Sequence, residues 1–310
     1  MQHSSDTMRQ AKRKTRGEEG RDDEDVEMTH ADTSNAMDEV EDDDDSEKEL
    51  VDVDFVFSEP QEIDFHGLKS LLRQTFGDDA DNLPLSELAS TVIDQSYIGS
   101  CVKVEGELDP YAVMSVLNLS APKDRESISS IRAYLLQKAK KNAEMQRKLA
   151  ALLESSDHHI GLLINERLIN MPHQVVPAML KMLLQEVDKA IQESKPFKFE
   201  YYIMISKTYK EVESQLEQDS DGEDKVESQE ASKKNKKQRL VTVYYFQQED
   251  ELIEEFADFS YDYKFSKEGS SSDSKRAFQE YGIDPSRRVF VIHRSKLPEI
   301  LKRFEKVLSA

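Results

Sequence analysis

HIGLLINE, residues 159–166, is the stretch on which the fold turns. It is a short, nearly continuous apolar run, the signature of a buried strand. Downstream, Pro172 stands in the first turn of a helix that turns Val176, Leu180, Leu183, Leu184, Val187 and Ile191 inward. Further strands are predicted at 199–209, 240–247 and 258–265, then VFVIHR at 289–294. Leu297, Ile300, Leu301, Phe304 and Leu308 mark an amphipathic closing helix with Ser295 as its cap. Upstream, one long helix is predicted over 123–154 on Ile128, Ile131, Leu135, Ala139, Leu149 and Leu153. Lys138 and Asn142 interrupt its seam, which favours packing on a sheet over a coiled coil. IGSCVKVEG (98–106) and YAVMSVLNLS (111–120) read as a hairpin. Before them come a short helix over 83–95 and another carrying Ile63, Leu68, Leu71, Leu72 and Phe76, ended near Gly77. Order begins at VDVDFVF (51–57), whose alternation gives a strand with Phe55 and Phe57 in the core. Strands and helices in alternation predict an α/β (α+β) fold, with a mixed central sheet flanked by helices.

Charge divides the chain. Its net charge is −21, from 63 acidic and 42 basic residues in 310. Residues 1–54 hold 20 acidic and 7 basic side chains, so this stretch alone carries −13. The run EDDDDSEKE (41–49) offers too little apolar surface to offset the entropy of folding, so residues 1–50 are expected to be a disordered acidic tail. A second break, a disordered charged insertion, is expected at 211–239, acidic at first and closing with KKNKKQR (233–239). Between and after these breaks, 51–310 reads as a single α/β domain. An acidic chain is a poor general binder of nucleic acid, because phosphate contacts need clustered Lys and Arg. No apolar run is long enough for a transmembrane span or a signal-peptide core, which predicts an intracellular protein. One cysteine, Cys101, excludes an internal disulfide framework.

Catalytic signatures are missing. No two of the ten glycines are separated by a single residue, which excludes a dinucleotide fingerprint, and no Gly-Lys-Ser/Thr is present to end a P-loop. Cys101 lies inside a predicted strand and reads as a small buried apolar residue. His158 and His159 are adjacent on extended chain and face opposite ways, which argues against shared metal ligation. His293 ends the last strand with no carboxylate in view. The Asn118-Leu119-Ser120 sequon is accidental in an intracellular chain. Glu166 and Arg167 at a strand end are expected to pair structurally, and Lys207 to be a solvated strand residue. Neither a catalytic constellation nor a cofactor or metal site is predicted.

Two basic clusters stand out in these acidic surroundings: Lys12, Arg13, Lys14 and Arg16, and Lys233, Lys234, Lys236 and Lys237. Their type matches nuclear-import signals, which predicts nuclear transport receptors as partners. The acidic run is the complement of a basic partner, whose encounter it would accelerate. A partner surface is also expected over Glu249, Asp250, Glu251, Glu254, Glu255, Asp258 and Asp262, where carboxylates accompany Tyr244, Tyr245, Phe246, Phe256, Phe259, Tyr261 and Tyr263. Carboxylates would meet Lys and Arg while rings add buried contact. Core packing is the competing use of those rings.

IGLLINERLINMP (160–172), the helix after it and YYIMISKTYKE (201–211) closely resemble the BCCIP family of eukaryotic nuclear proteins. YIGSCVKV (97–104), SVLNL (115–119) and VYYFQQEDELIEEFADFSYDYKF (243–265) match in the same order, so the resemblance spans roughly residues 50–310. It implies a fold like the GCN5-type N-acetyltransferases without enzymatic activity. It also implies, by analogy with fungal relatives, a chaperone of a large-subunit ribosomal protein acting in nuclear export and ribosome biogenesis. Localisation is then the nucleus, with shuttling to the cytoplasm. The family's vertebrate namesake adds DNA-repair and cell-cycle proteins as partners. Acetyltransferases of this type bind a coenzyme A pyrophosphate on a Gly-rich turn after a central strand, at a helix N-terminus. Here that place reads RLINMPHQ (167–174), with no glycine and with Pro172 lacking an amide donor. An acetyltransferase with a divergent pocket and a DNA-repair or cell-cycle scaffold are the competing functions.

Overall fold

A computed structural model describes residues 53–120, 125–155, 159–211, 242–266 and 281–308. The acidic tail, the two basic clusters and the charged insertion beyond Glu211 lie outside the described residues. Val51–Ala310 make one compact unit.

That unit is built on one sheet. Its strands are β1 Phe55–Ser58, β2 Ser100–Val104, β3 Ala112–Asn118, β4 His159–Arg167, β5 Phe199–Glu211, β6 Val243–Tyr245, β7 Phe259–Tyr263 and β8 Ile283–His293. The order is β1-β2-β3-β4-β5-β8-β7, with β6 also on β5. Neighbours run antiparallel except β4 and β5, which are parallel and joined through helix α5, Val175–Gln192.

Alternation of side chains along each strand divides the apolar residues into two cores. On one face Cys101, Val113, Leu117, Leu162, Ile203 and Val289 pack against α1 Phe65–Phe76, α2 Leu85–Asp94, α3 Glu126–Ala139 and α4 Ala143–Glu154. On the other, Val102, Met114, Leu163, Met204, Phe290 and Ile292 meet α5, α6 Gln248–Glu254 and α7 Leu297–Val307. The result is a mixed, mostly antiparallel sheet flanked by helices, as the alternation of elements predicts.

Several boundaries differ from expectation, each for a local reason. The segment predicted as one helix over 123–154 contains two. Asn142 leaves helical geometry (φ −125°, ψ 97°), and its side chain accepts the Met145 N–H at 3.2 Å, capping α4. Lys138, read as a break in the seam, is buried: its ammonium pairs with Asp79 at 2.5 Å and donates to the Lys264 carbonyl and Ser266 hydroxyl. The strand predicted at 240–247 is β6 alone, and α6 follows it unannounced. β8 begins at Ile283 because its first residues pair with the far end of β5, through Ile283↔Glu211. Pro172 precedes α5 rather than sitting in its first turn. Ser295 does not cap α7; its own N–H is accepted by the His293 ring instead. Ile63 and Val53 are exposed, and Phe55 and Phe57 are half-buried against the second core. Gly77 does end α1, at φ +56°, and a Cβ there would meet the Phe265 ring at 2.6 Å.

Candidate functional site

The parallel pair β4–β5 comes apart partway along its length. The two strands pair from His159↔Phe199 to Leu163↔Met204. Past that point β4 stays with β3 through Ala112↔Arg167, whereas β5 takes β6 as its neighbour over Thr208–Lys210. A wedge opens between the strand ends, and the chain fills it with the segment from β6 into α6. The Phe246 N–H donates to the Lys207 carbonyl at 3.0 Å, which seats that segment against β5.

Buried charge lines the wedge. From the end of β4, Arg167 donates through Nε and Nη2 to the two carboxylate oxygens of Glu249, at 2.9 and 3.0 Å. Its Nη1 reaches the Met171 carbonyl at 2.6 Å. This is a bidentate pair in a dry setting, where each charge needs the other. Glu166, one residue earlier, pairs with Lys207 of β5 and accepts from the Thr75 hydroxyl at 2.9 Å. The Ser206 hydroxyl donates to Asp250 at 2.5 Å. Burial, then the neighbouring Glu249 charge, pushes the Asp250 carboxyl well above the usual carboxylate range. Asn165 Nδ2, Gln247 Nε2 and one Asp250 oxygen are buried with no hydrogen-bond partner among the described residues.

These contacts correct part of the expected partner surface. Glu249 and Asp250 are both 0 % exposed and serve the interior. Glu254 pairs with Arg288 of β8 and accepts the Tyr245 hydroxyl. Asp262 takes Arg288 through two bonds, Nε to Oδ1 at 2.5 Å and Nη2 to Oδ2 at 3.1 Å. Asp258 accepts the His293 N–H at 2.7 Å, and Glu255 stands 3.6 Å from Arg303. Glu251, Glu255, Asp258 and Asp262 keep an exposed aspect; Glu254 is half-buried. Two of the rings are core, and Tyr245, Phe256 and Phe259 are half-buried against it. Tyr261 and Tyr263 are buried, with the Tyr261 hydroxyl on the Leu135 carbonyl, while Tyr244 stacks on Tyr209 at 5.3 Å.

Glu166 and Arg167 pair structurally, as expected, but Lys207 is no solvated residue, because Glu166 claims it. Cys101 is buried and its thiol is pushed up to about 12, chiefly by burial. The sequence reading missed the wedge and the role of Lys138, for which a lone cation inside an apolar seam was the available signal. The loop after β4 runs from Leu168 to Gln174, and its carbonyl at Met171 is taken by Arg167. Among the described residues no group of three His, Cys, Asp or Glu is placed to hold a metal, and no helix is long and apolar enough to cross a membrane.

A family model described as BCCIP matches residues 50–253. The chain is 39% identical over 268 residues to Protein bcp1 of Schizosaccharomyces pombe, covering 84% of this chain and 92% of that one. It is 40% identical over 291 residues to Protein bcp1 of Aspergillus oryzae, covering 92% and 96%. The crystal structure of BCP1 from Saccharomyces cerevisiae has a TM-score of 0.57 at 24% identity, over 87% of this chain and 95% of that chain. That last likeness concerns the fold. The family match and the two relatives settle kinship: the chain belongs to the BCCIP family.

Proposed function

We propose that the protein is a non-enzymatic nuclear chaperone or adaptor that binds a basic ribosomal protein of the large subunit. In this reading it supports that client's nuclear transport, nuclear export and delivery to ribosome biogenesis. Charge is the observation that carries the reading. Of the net −21, −13 lies in residues 1–54, and on the folded unit Glu251, Glu255 and Asp258 are exposed on α6 and just after it. A field of this sign steers a Lys- and Arg-rich partner into encounter and competes with nucleic acid for it. The client surface is therefore narrower than the sequence suggests, with Glu249 and Asp250 removed from it.

The segment after β4 supports the absence of acetyl transfer, because it lacks the glycines that let a pyrophosphate approach the backbone. Calorimetric titration of the full chain with acetyl-coenzyme A tests this part. No heat of binding is expected; micromolar affinity would favour the enzyme instead. Nuclear residence, with shuttling to the cytoplasm, follows from the two basic clusters read by transport receptors.

A further inference from the structure

β1 closes one end of the sheet order, and its outer side pairs with no strand among the described residues. Hydrogen-bond phase fixes which backbone groups it presents there. The Glu105 N–H donates to the Asp54 carbonyl at 2.9 Å, so this opposed pair bonds within the β1–β2 ladder. In an antiparallel ladder the direction alternates, which turns Val56 and Ser58 toward β2 and Phe55 and Phe57 outward. β2 gives the same phase: the carbonyl of Val102, opposite Phe57, faces away from β1 and accepts the Tyr111 N–H at 2.8 Å. Among the described residues nothing bonds the outward N–H and carbonyl groups of Phe55 and Phe57. The register from Phe55↔Val104 to Ser58↔Cys101 has no bulge, and β1 holds neither proline nor lysine, the usual guards of an open edge.

Side chains around this edge sort by face. Residues opposed across a ladder share a face, so Asp54 stands with Glu105, and both are exposed. Phe55 and Phe57 take the other face, half-buried against the second core. Glu59 follows them, and its charge, after burial, raises the carboxyl of Glu186 on α5 above its ordinary value, which marks the two as neighbours. Residues 53–59 and 100–109 carry Asp54, Glu59, Glu105, Glu107 and Asp109, all exposed, against a single cation, Lys103. That cation is already paired with the buried Asp64 at 2.5 Å. Val53 and Val56, 44 % and 45 % exposed, add apolar surface. Like charge opposes a second copy of the chain here, since it would bring the same carboxylates.

We propose that the outer edge of β1 takes up an extended basic segment of the client as an added strand. The segment's backbone bonds to Phe55 and Phe57. On one face its Lys and Arg meet Asp54 and Glu105; on the other its apolar residues cover the two phenylalanine rings. The segment that fits therefore alternates basic with apolar residues. This inference rests on the reading of a basic client, and it adds a second contact to the exposed carboxylates of α6.

The test uses the full chain with isotope-labelled amides and a short peptide that alternates arginine with valine. Titration should give saturable shifts and slower solvent exchange at the Phe55 and Phe57 amides. Exchange at Val56, whose N–H already faces β2, should change little. The same peptide with methylated backbone nitrogens, or with glutamate for arginine, should give neither effect. Asp54→Lys with Glu105→Lys should weaken the peptide about tenfold and leave the melt unaltered, because both side chains are exposed. No saturable shift at millimolar peptide, or an equal response to the methylated peptide, would overturn the proposal. Slow exchange at both amides in the free chain would also overturn it: if concentration-dependent, a second copy holds the edge, and if not, another segment of the same chain does. Should the double variant fail to fold, the methylated peptide decides. The client reading fails separately. If the wild type captures a basic ribosomal protein from nuclear extract and the folded double variant captures it equally, the edge alone is overturned; if the wild type captures none, the client reading is.

Discussion

Glu249 and Asp250 are neighbours in sequence, and both are buried, yet the wedge uses them in opposite ways. Glu249 is the counterion of Arg167, so Glu249→Ala strands a buried guanidinium and should cost about 3–5 kcal/mol in a denaturant titration. Among the described residues Asp250 faces no cation at bonding distance; a serine hydroxyl holds one oxygen and the other has no partner. Its folded pKa is raised, so the stability it lends is complete below the ordinary value of 3.8 and is lost as pH rises through the folded value. Asp250→Asn keeps the Ser206 bond and has no charge to desolvate. It should match wild type in acid and become the more stable protein as pH approaches neutrality. Melts of both variants across that range check the pair, and a destabilised Asp250→Asn at neutral pH would mean that the carboxylate is ionised in the fold.

At the scale of elements, α6 carries the argument about partners. Its interior side holds Glu249, Asp250 and Ile253, and Glu251 and, just beyond its end, Glu255 face solvent. Reversing the charge of those two, Glu251→Lys with Glu255→Lys, should weaken binding of a basic client severalfold at physiological salt and leave the circular-dichroism melt near wild type. Reversal of Glu254 should instead lower the melt, because Arg288 and Tyr245 both depend on it. Most elements of the fold were legible: β4, α5 and α7 carry apolar positions at the period of their structure, and Gly77 marks a helix end. What escaped had no such period. α6 is a seven-residue helix inside an acidic run, too short to show a face. The α3–α4 break rests on one asparagine whose side chain turns back to cap, and its neighbours keep helical spacing on either side. The wedge was beyond reach for a further reason. Arg167 meets Glu249 across 82 positions of sequence, and no local pattern announces a pairing at that distance.

Considered whole, the molecule joins an acidic N-terminal stretch to a folded unit in which every described core residue lies at Leu68 or later. Deleting residues 1–50 should therefore leave the melting temperature nearly unchanged. Association with a basic client should slow and lose part of its salt dependence, because most of the steering charge is gone. A large drop in the melt would show that the stretch docks on the folded unit. Nuclear entry is expected to need both basic clusters. Alanine at Lys12, Arg13, Lys14, Arg16, Lys233, Lys234, Lys236 and Lys237 together should shift the protein toward the cytoplasm in fluorescence imaging. Unaltered nuclear accumulation would remove the clusters from the account.

The central claim is that the protein escorts one basic ribosomal protein, and it has a direct measurement. The full-length chain is used as bait in nuclear extract at physiological salt, and every co-purifying protein is quantified against it. The account predicts one basic large-subunit ribosomal protein near equimolar amount, without the rest of the subunit, and diminished as salt rises. Recovery of DNA-repair or cell-cycle proteins with no ribosomal protein among them would contradict it.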